Sequence, residues 1–414
     1  MAGSVSGSVE AAKGLSRRRL IAASAAAGAL AMPARGQAKP LRIGVLGDQS
    51  GPYADFSGPG SVIAAQLAAE EFKDGVLGRP VEILSGDHGN KPDLASAMAR
   101  SWIDTKDVEA VVECSTSGCA LAVQQVMRER ARIFLITVAG SSDLTGKNCS
   151  PFGFHFNCDT YELARSTGLA LTRLGGDSWF FITVDYAFGH ALQRDAARFV
   201  QEAGGKVLGS VLHPLGASDF ASYLTEAQAS GAKVVAFANA GADTQNAIKQ
   251  AREFGLGRGN QRLAALLTFI TDIRSVGLQT AQGLVLSNTF YWDLDDNTRA
   301  WTKRFRAHKN APPTMDQAAA YCSVRHFLRA TQAAGTSDSP KVAATMRDLP
   351  VSDMYNDNVR IRPDGRVLSK VYLMTVKSPA ESAYADDAYR VLASTEGAEA
   401  ARPLSESECP LVHR

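Results

Sequence analysis

The sequence predicts an α/β protein of two Rossmann-like lobes, each built on a parallel sheet and joined to the other by a three-strand hinge. Three observations carry that expectation. From residue 41 onward short apolar runs alternate with longer amphipathic ones, the pattern of strand–helix–strand units with helices on both faces of a parallel sheet. The alternation starts afresh at Ser178, so the unit occurs twice. Beyond Leu286 come long helices that fit neither repeat, so the chain is expected to return to the first lobe.

Residues 1–38 read as an export signal, not as structure. Ser16-Arg17-Arg18-Arg19-Leu20-Ile21 precedes a weakly apolar, Ala-rich run from Ala22 to Met32, and Gly36-Gln37-Ala38 offers small residues for cleavage. The Ser-Arg-Arg pattern is twin-arginine-like, with an ordinary secretory signal as the alternative. No Cys lies near the cleavage site to carry a lipid, and the run is too short to span a bilayer. The mature chain is therefore expected in the periplasm, without a membrane anchor. Losing this segment removes five basic residues and one acid, turning the formal charge of +2 into −2, which offers nothing to nucleic acid.

In the first repeat, strands are expected over residues 41–46, 80–85, 110–113 and 132–136. Helices are expected over 60–72, 92–104 and 120–130, where apolar residues recur at three and four. In the second, strands fall at 178–184, 206–212, 234–238 and 262–267, with helices at 190–203, 219–229 and 241–254. After a strand near 283–286, helices follow at 295–309, 315–334 and 342–348. Strands at 358–361 and 367–377 then flank the turn Pro363-Asp364-Gly365. Crossovers near Asn157, Ser287 and Arg366 form the hinge, and the tail from Ala380 reads as polar and irregular.

Ligands of open α/β sheets sit beyond the carboxyl ends of the strands. The loop after the first strand places Tyr53, Asp55 and Ser57 over such a cleft. Cys114-Ser115-Thr116-Ser117-Gly118 follows the third strand and opens a helix. Free N–H groups and the positive helix end make that loop an anion site, although N-capping explains the same serines.

Enzyme chemistry finds no support. Gly255-Leu256-Gly257-Arg258-Gly259 follows a helix and leads into a strand, the reverse of a dinucleotide fingerprint. Neither a nucleophile elbow nor an HExxH motif occurs, and the seven histidines are scattered, so no catalytic residue, cofactor or metal is expected. Six cysteines suit an oxidising compartment and allow 15 complete pairings. Cys149 and Cys409, in the polar strings NCSP and ECPL, suit a cross-link, and Cys322 in an apolar helix suits a buried thiol.

Taken together, the loop SGPYADFSGPGS, the turn DYAFGH and the order of elements resemble the branched-chain-amino-acid (leucine/isoleucine/valine-binding) type of periplasmic solute-binding proteins. These are receptors of ABC importers, with the type I periplasmic binding fold. The resemblance covers residues 39–414. It is nearest to a subgroup with an SSDLTGKxCSP segment, here residues 141–151, and a PLSESxCPLV tail, here residues 403–412.

The resemblance implies a Venus-flytrap closure without catalysis. Residues 39–157 with 288–366 would form one lobe, 158–287 with 367–390 the other, and 391–414 a tail. It pairs Cys149 with Cys409 and implies a monomer that docks on ABC permease subunits. It assigns a ligand carboxylate to Ser115, Thr116 and Ser117 and to the loop Ala139-Gly140-Ser141. Asp185, Tyr186, Asn239 and Phe269 face it from the second lobe. Amino-acid-binding relatives place an acid near Thr268-Phe269 to pair the ligand ammonium, and this chain has none there, so a small aromatic or aliphatic carboxylate fits Tyr53, Tyr186 and Phe269 better. Asp185 or Asp55 remains an alternative partner for an amino acid. A ligand-sensing module for a chemoreceptor or kinase, without transport, is the alternative function.

Overall fold

The computed structural model describes residues 38–257 and 261–412, with 3, 4 and 7; the export-signal assignment lies largely outside the described residues. Five parallel strands form the first sheet: β1 (Leu41–Gly47), β2 (Val81–Asp87), β3 (Val108–Glu113), β4 (Ile133–Ile136) and β5 (Gly153–His155), ordered β2-β1-β3-β4-β5. Helices α1 (Gly58–Glu70), α2 (Pro92–Lys106) and α3 (Ser117–Glu129) connect them. β1 is almost wholly buried between two partners, which is why it reads as a continuous apolar run.

After α4 (Thr160–Arg173) the second sheet opens with β6 (Ser178–Val184), α5 (Ala187–Glu202), β7 (Lys206–His213), α6 (Ala221–Ala229) and β8 (Val234–Ala238). It continues with α7 (Ala242–Glu253), β9 (Arg262–Ala265), α8 (Ile270–Val276), α9 (Leu278–Ala281) and β10 (Val285–Asn288). The chain then turns back through α10 (Asp296–Arg306), α11 (Met315–Ala334) and α12 (Ser339–Asp348). It ends on β11 (Val371–Val376) and β12 (Tyr389–Thr395), which extend the second sheet antiparallel. The second order is β12-β11-β10-β9-β8-β6-β7. α11 begins at Thr314, whose hydroxyl accepts from the Gln317 N–H, and ends at Gly335 in the left-handed region.

Three segments run side by side between the sheets. His155 donates its N–H to the Gly365 carbonyl (2.9 Å), and Val367 donates to the His155 carbonyl (3.1 Å). The Asn157 side chain accepts from Thr289 Oγ1 (2.9 Å), donates to the Thr137 carbonyl (3.1 Å) and pairs with Asp316. Arg366 is buried and its Nε meets Glu162 Oε1 at 3.1 Å. Cys149 and Cys409 are joined by a disulfide, tying the end of the chain to the loop before β5.

Several stretches differ from the sequence expectation; β5, α8 and α9 are additional short elements, and three others have plain physical reasons. α4 was not foreseen; Thr160, Thr167, Gly168 and Thr172 weaken its helical signature, and the Asp159–Glu162 capping box with a buried face stabilises it instead. The expected strand over 358–361 is only a pair of isolated bridges, and the ladder from 367 begins at Val371. Inward-turned Arg366 and the Ser369–Asn356 side-chain bond (2.8 Å) occupy the chain before it. Within the tail read as irregular, Tyr389–Thr395 pairs as an edge strand whose exposed Arg390, Val391 and Leu392 hide its period of two.

Candidate functional site

The carboxyl ends of β1, β3 and β4 face those of β6, β8 and β9 across a cleft. Its walls are Tyr53, Phe56, Ser115, Ser117, Val138 and Gly140 from one side, and Tyr186, Phe188, Ala240, Leu267 and Phe269 from the other. The free space between them measures about 240 Å3.

Aromatic contacts close the cleft. The Tyr53 and Tyr186 hydroxyls meet at 2.9 Å, and Phe56 stacks on Phe269 with centroids 4.2 Å apart and planes 11° from parallel. Burial raises both tyrosine pKa values, so the pair stays protonated and each phenol keeps a proton to donate. Two glycines permit the approach. A Cβ on Gly140 would stand 3.0 Å from the Phe188 ring. One on Gly241, at φ +59°, would stand 2.8 Å from Phe56 and 3.1 Å from Tyr53.

The first-lobe loops are held from behind. Asp48 accepts from the N–H groups of Gly51 (2.6 Å) and Tyr53 (3.0 Å) and from Asn90 Nδ2 (2.6 Å). Ser115 Oγ accepts from the Asp48 N–H at 2.7 Å, while Ser117 Oγ accepts from the Ser141 N–H at 3.1 Å. Ser115 and Ser117 thus reach the cavity at the start of α3, and the intervening Thr116 turns away as its N-terminal cap.

Of the residues expected from the sequence, Tyr53, Ser115, Ser117, Gly140, Tyr186 and Phe269 line the cavity. The others do not, for local reasons. Asp55 is exposed, and only its carbonyl is engaged, by Lys309 Nζ at 3.1 Å and by Gln317. Asp185 faces solvent and pairs with His190 Nε2 at 2.9 Å, because alternation after buried Val184 sends Tyr186 inward and Asp185 out. Thr116, Ala139 and Ser141 are buried behind the lining, Ser141 as the cap of the turn Ser142–Leu144. Asn239 braces the end of β8 through His213 Nε2 (3.1 Å) and Thr244 Oγ1 (2.7 Å).

Phe56, Val138, Phe188, Ala240 and Leu267 complete the wall; Phe56, Val138 and Ala240 lie in loops that the sequence points to without singling them out, and Phe188 and Leu267 lie outside those loops. Phe56 and Phe188 each stand a residue or two after a Tyr-Ala pair at a strand end, a placement that could have flagged them. Asp243, in the first turn of α7, was missed as well. It is buried, its Oδ1 has no hydrogen-bond partner, and its charge bears on both tyrosines. Burial raises its carboxyl to about 6. Among the described residues no group of three or more His, Cys, Asp or Glu is placed to hold a metal ion.

Two sheets with alternating helices, meeting at a ring-lined cavity between their carboxyl edges, define a two-lobed ligand-binding protein. The chain belongs to the periplasmic binding protein family, whose pattern residues 40–383 match. It is 43% identical to a periplasmic binding protein from Burkholderia mallei, covering 90% of this chain and 99% of that one with a TM-score of 0.88. A branched chain amino acid ABC transporter periplasmic ligand-binding protein from Burkholderia xenovorans is 35% identical, over 90% and 100% of the two chains, at TM-score 0.81. A solute-binding ABC transporter protein from R. palustris, solved in complex with benzoate, shares the fold at TM-score 0.79 and 18% identity, over 90% and 100% of the chains. The family is one of solute-binding receptors of branched-chain-amino-acid-type ABC transporters, and the periplasm is its compartment.

Proposed function

We propose that this protein captures a small aromatic carboxylate between its lobes and delivers it to the membrane subunits of an ABC importer. The observation that carries the reading is the composition of the cavity wall. Five rings (Tyr53, Phe56, Tyr186, Phe188 and Phe269) surround it, two serine hydroxyls stand where α3 begins, and no acid lines it. Such a wall suits a flat apolar body, and the serines with the α3 N-terminus suit its carboxylate. The benzoate held by the R. palustris neighbour is a ligand of this shape.

Closure follows from population shift. A ligand that touches both walls binds the closed form better and biases the equilibrium toward it. The moving bodies are residues 39–157 with 288–366 and residues 158–287 with 367–390, turning about the segments at Asn157, Ser287 and Arg366. The protein acts as a monomer and without a cofactor.

A second reading is favoured by Asp243. Its unpaired buried oxygen near the tyrosine pair offers an anion to a ligand ammonium, as a branched-chain amino acid would require. A thermal-shift panel of benzoates, phenylpropanoids, aliphatic acids and branched-chain amino acids tests the choice. A ligand at about 100 times its Kd stabilises by about 2.7 kcal/mol. Aromatic acids are expected to raise the melting temperature. Shifts with leucine or valine alone would overturn the aromatic reading in favour of the second.

A further inference from the structure

We propose that Glu113, buried directly behind the cavity serine Ser115, is a positioning residue whose proton switches the cleft between accepting and rejecting a carboxylate; the proposal rests on the aromatic-carboxylate reading above. Glu113 ends β3 and does not line the cavity. Its Oε1 accepts from the Gly58 N–H at 2.9 Å and lies 3.2 Å from Ser115 Oγ, whereas its Oε2 is buried with no hydrogen-bond partner. Gly47 makes room for it: a Cβ there would stand 2.3 Å from Oε1 and 2.8 Å from Oε2. Glu113 and Cys114 both adopt positive φ, +91° and +62°, so the chain is bent sharply at the point that brings this carboxyl under the serine loop.

The hydrogen-bond count decides what the proton does. Ser115 Oγ already accepts from the Asp48 N–H. When Glu113 is ionised its Oε1 accepts a hydrogen bond from the Ser115 hydroxyl, so Ser115 presents lone pairs to the cavity and a buried negative charge lies just behind it. Both features repel an incoming carboxylate. When Glu113 carries a proton the charge is gone, and its O–H can donate to Ser115 Oγ, releasing the serine proton toward the cavity. Ser57 Oγ, 3.2 Å from Ser115 Oγ, competes for that proton, but it is neutral and a ligand carboxylate is the stronger acceptor.

Burial favours the protonated form, against the hydrogen bonds from Gly58 and Ser115, which favour the ionised one. Asp316 on α11 is a second buried acid, whose own carboxyl is held protonated by burial and by the charge of Glu113. Asp48 lies on the β1 side, and the Cys114 thiol is held protonated by burial. His88, with Nε2 3.2 Å from the Ser115 N, is held neutral by burial, its pKa down to about 4, and offers no compensating positive charge. Burial raises the Glu113 carboxyl to about 7, so its proton is exchanged in the range a periplasmic protein meets.

The test is benzoate affinity by calorimetry from about pH 5.5 to about pH 8.5, a range in which benzoate stays ionised, for the unaltered chain, Glu113→Gln and Ser115→Ala. The unaltered chain is expected to bind about tenfold more weakly at the alkaline end, and both variants are expected to show flatter profiles, keeping only the slope that Asp243 and Asp272, raised by burial to about 6 and about 7, impose on all three proteins. Equal pH profiles in the unaltered chain and Glu113→Gln would overturn the proposal. If benzoate binds none of the proteins, the ligand class fails and melting curves decide on Glu113. Because its folded pKa is raised, its contribution to stability is full below about 4.5 and declines as pH rises through about 7. A melting temperature difference between the unaltered chain and Glu113→Gln that changes across this window sustains the proton exchange at Glu113, with the ligand class alone failing, and parallel curves overturn the proposal.

Discussion

The hydroxyls of Tyr53 and Tyr186 touch at 2.9 Å across the mouth of the cleft, one from the loop after β1 and the other from the cap of α5. A ligand entering this cavity would have to displace this contact or share it, so the tyrosine pair is expected to couple occupancy to closure.

Tyr53→Phe and Tyr186→Phe are each expected to weaken the closed form by about 1 kcal/mol. The double variant should cost little more than either single one, because they remove the same bond. Small-angle scattering of the ligand-free proteins checks this through a rise in radius of gyration. Additive effects would mean that the two phenols act independently.

The Cys149–Cys409 disulfide closes a loop with a sequence separation of 260 residues. Cys149→Ser, or reduction of the unaltered chain, is expected to cost about 2–5 kcal/mol in denaturant unfolding. Reductant should then have no effect on the variant. Sensitivity of the variant to reductant would point to a contribution from Cys114, Cys119, Cys158 or Cys322, which are all free and buried.

Arg366 and Glu162 form a buried ion pair where the third crossover passes α4. Arg366→Met strands the carboxylate and is expected to cost about 3–5 kcal/mol, whereas adding Glu162→Leu should recover most of that loss. Chemical denaturation of both variants reads the difference.

His326 is buried on α11 with Nε2 2.9 Å from the Met346 carbonyl, and burial lowers its pKa to about 4. The unfolded chain therefore binds a proton that the folded one refuses. Its contribution to stability is present above about 6.5 and is lost as pH falls toward about 4, by up to about 3 kcal/mol. His326→Gln should flatten the acid limb of melting temperature against pH, and an unchanged acid limb would contradict the assignment.

Much of the fold is legible in the sequence because buried parallel strands are near-continuous apolar runs; 178–184 and 234–238 match β6 and β8 residue for residue. Elements whose stability comes from distant partners are not legible. α4 rests on its cap and on packing against α5, and β12 rests on β11. The same division holds in the site. Strand-end loops point to Tyr53, Ser115, Ser117, Tyr186 and Phe269, but local geometry decides which neighbour turns inward: the turn over 52–56 carries Asp55 outward, Thr116 sits at the cap of α3, and alternation after Val184 sends Asp185 to solvent. Glu113 and Asp243 show no local signal, since Glu113 is buried against Gly47, the start of α1 and Ser115, and Asp243 against the loop at Gly216.

Titration calorimetry with benzoate and, separately, leucine tests the central claim most directly, because it reads the ligand class and the number of sites together. The account predicts one benzoate per chain, weakened in Ser117→Ala and retained in Asp243→Asn, with no heat from leucine. Leucine bound by the unaltered chain and lost in Asp243→Asn, with benzoate silent, would contradict it and make this an amino-acid receptor.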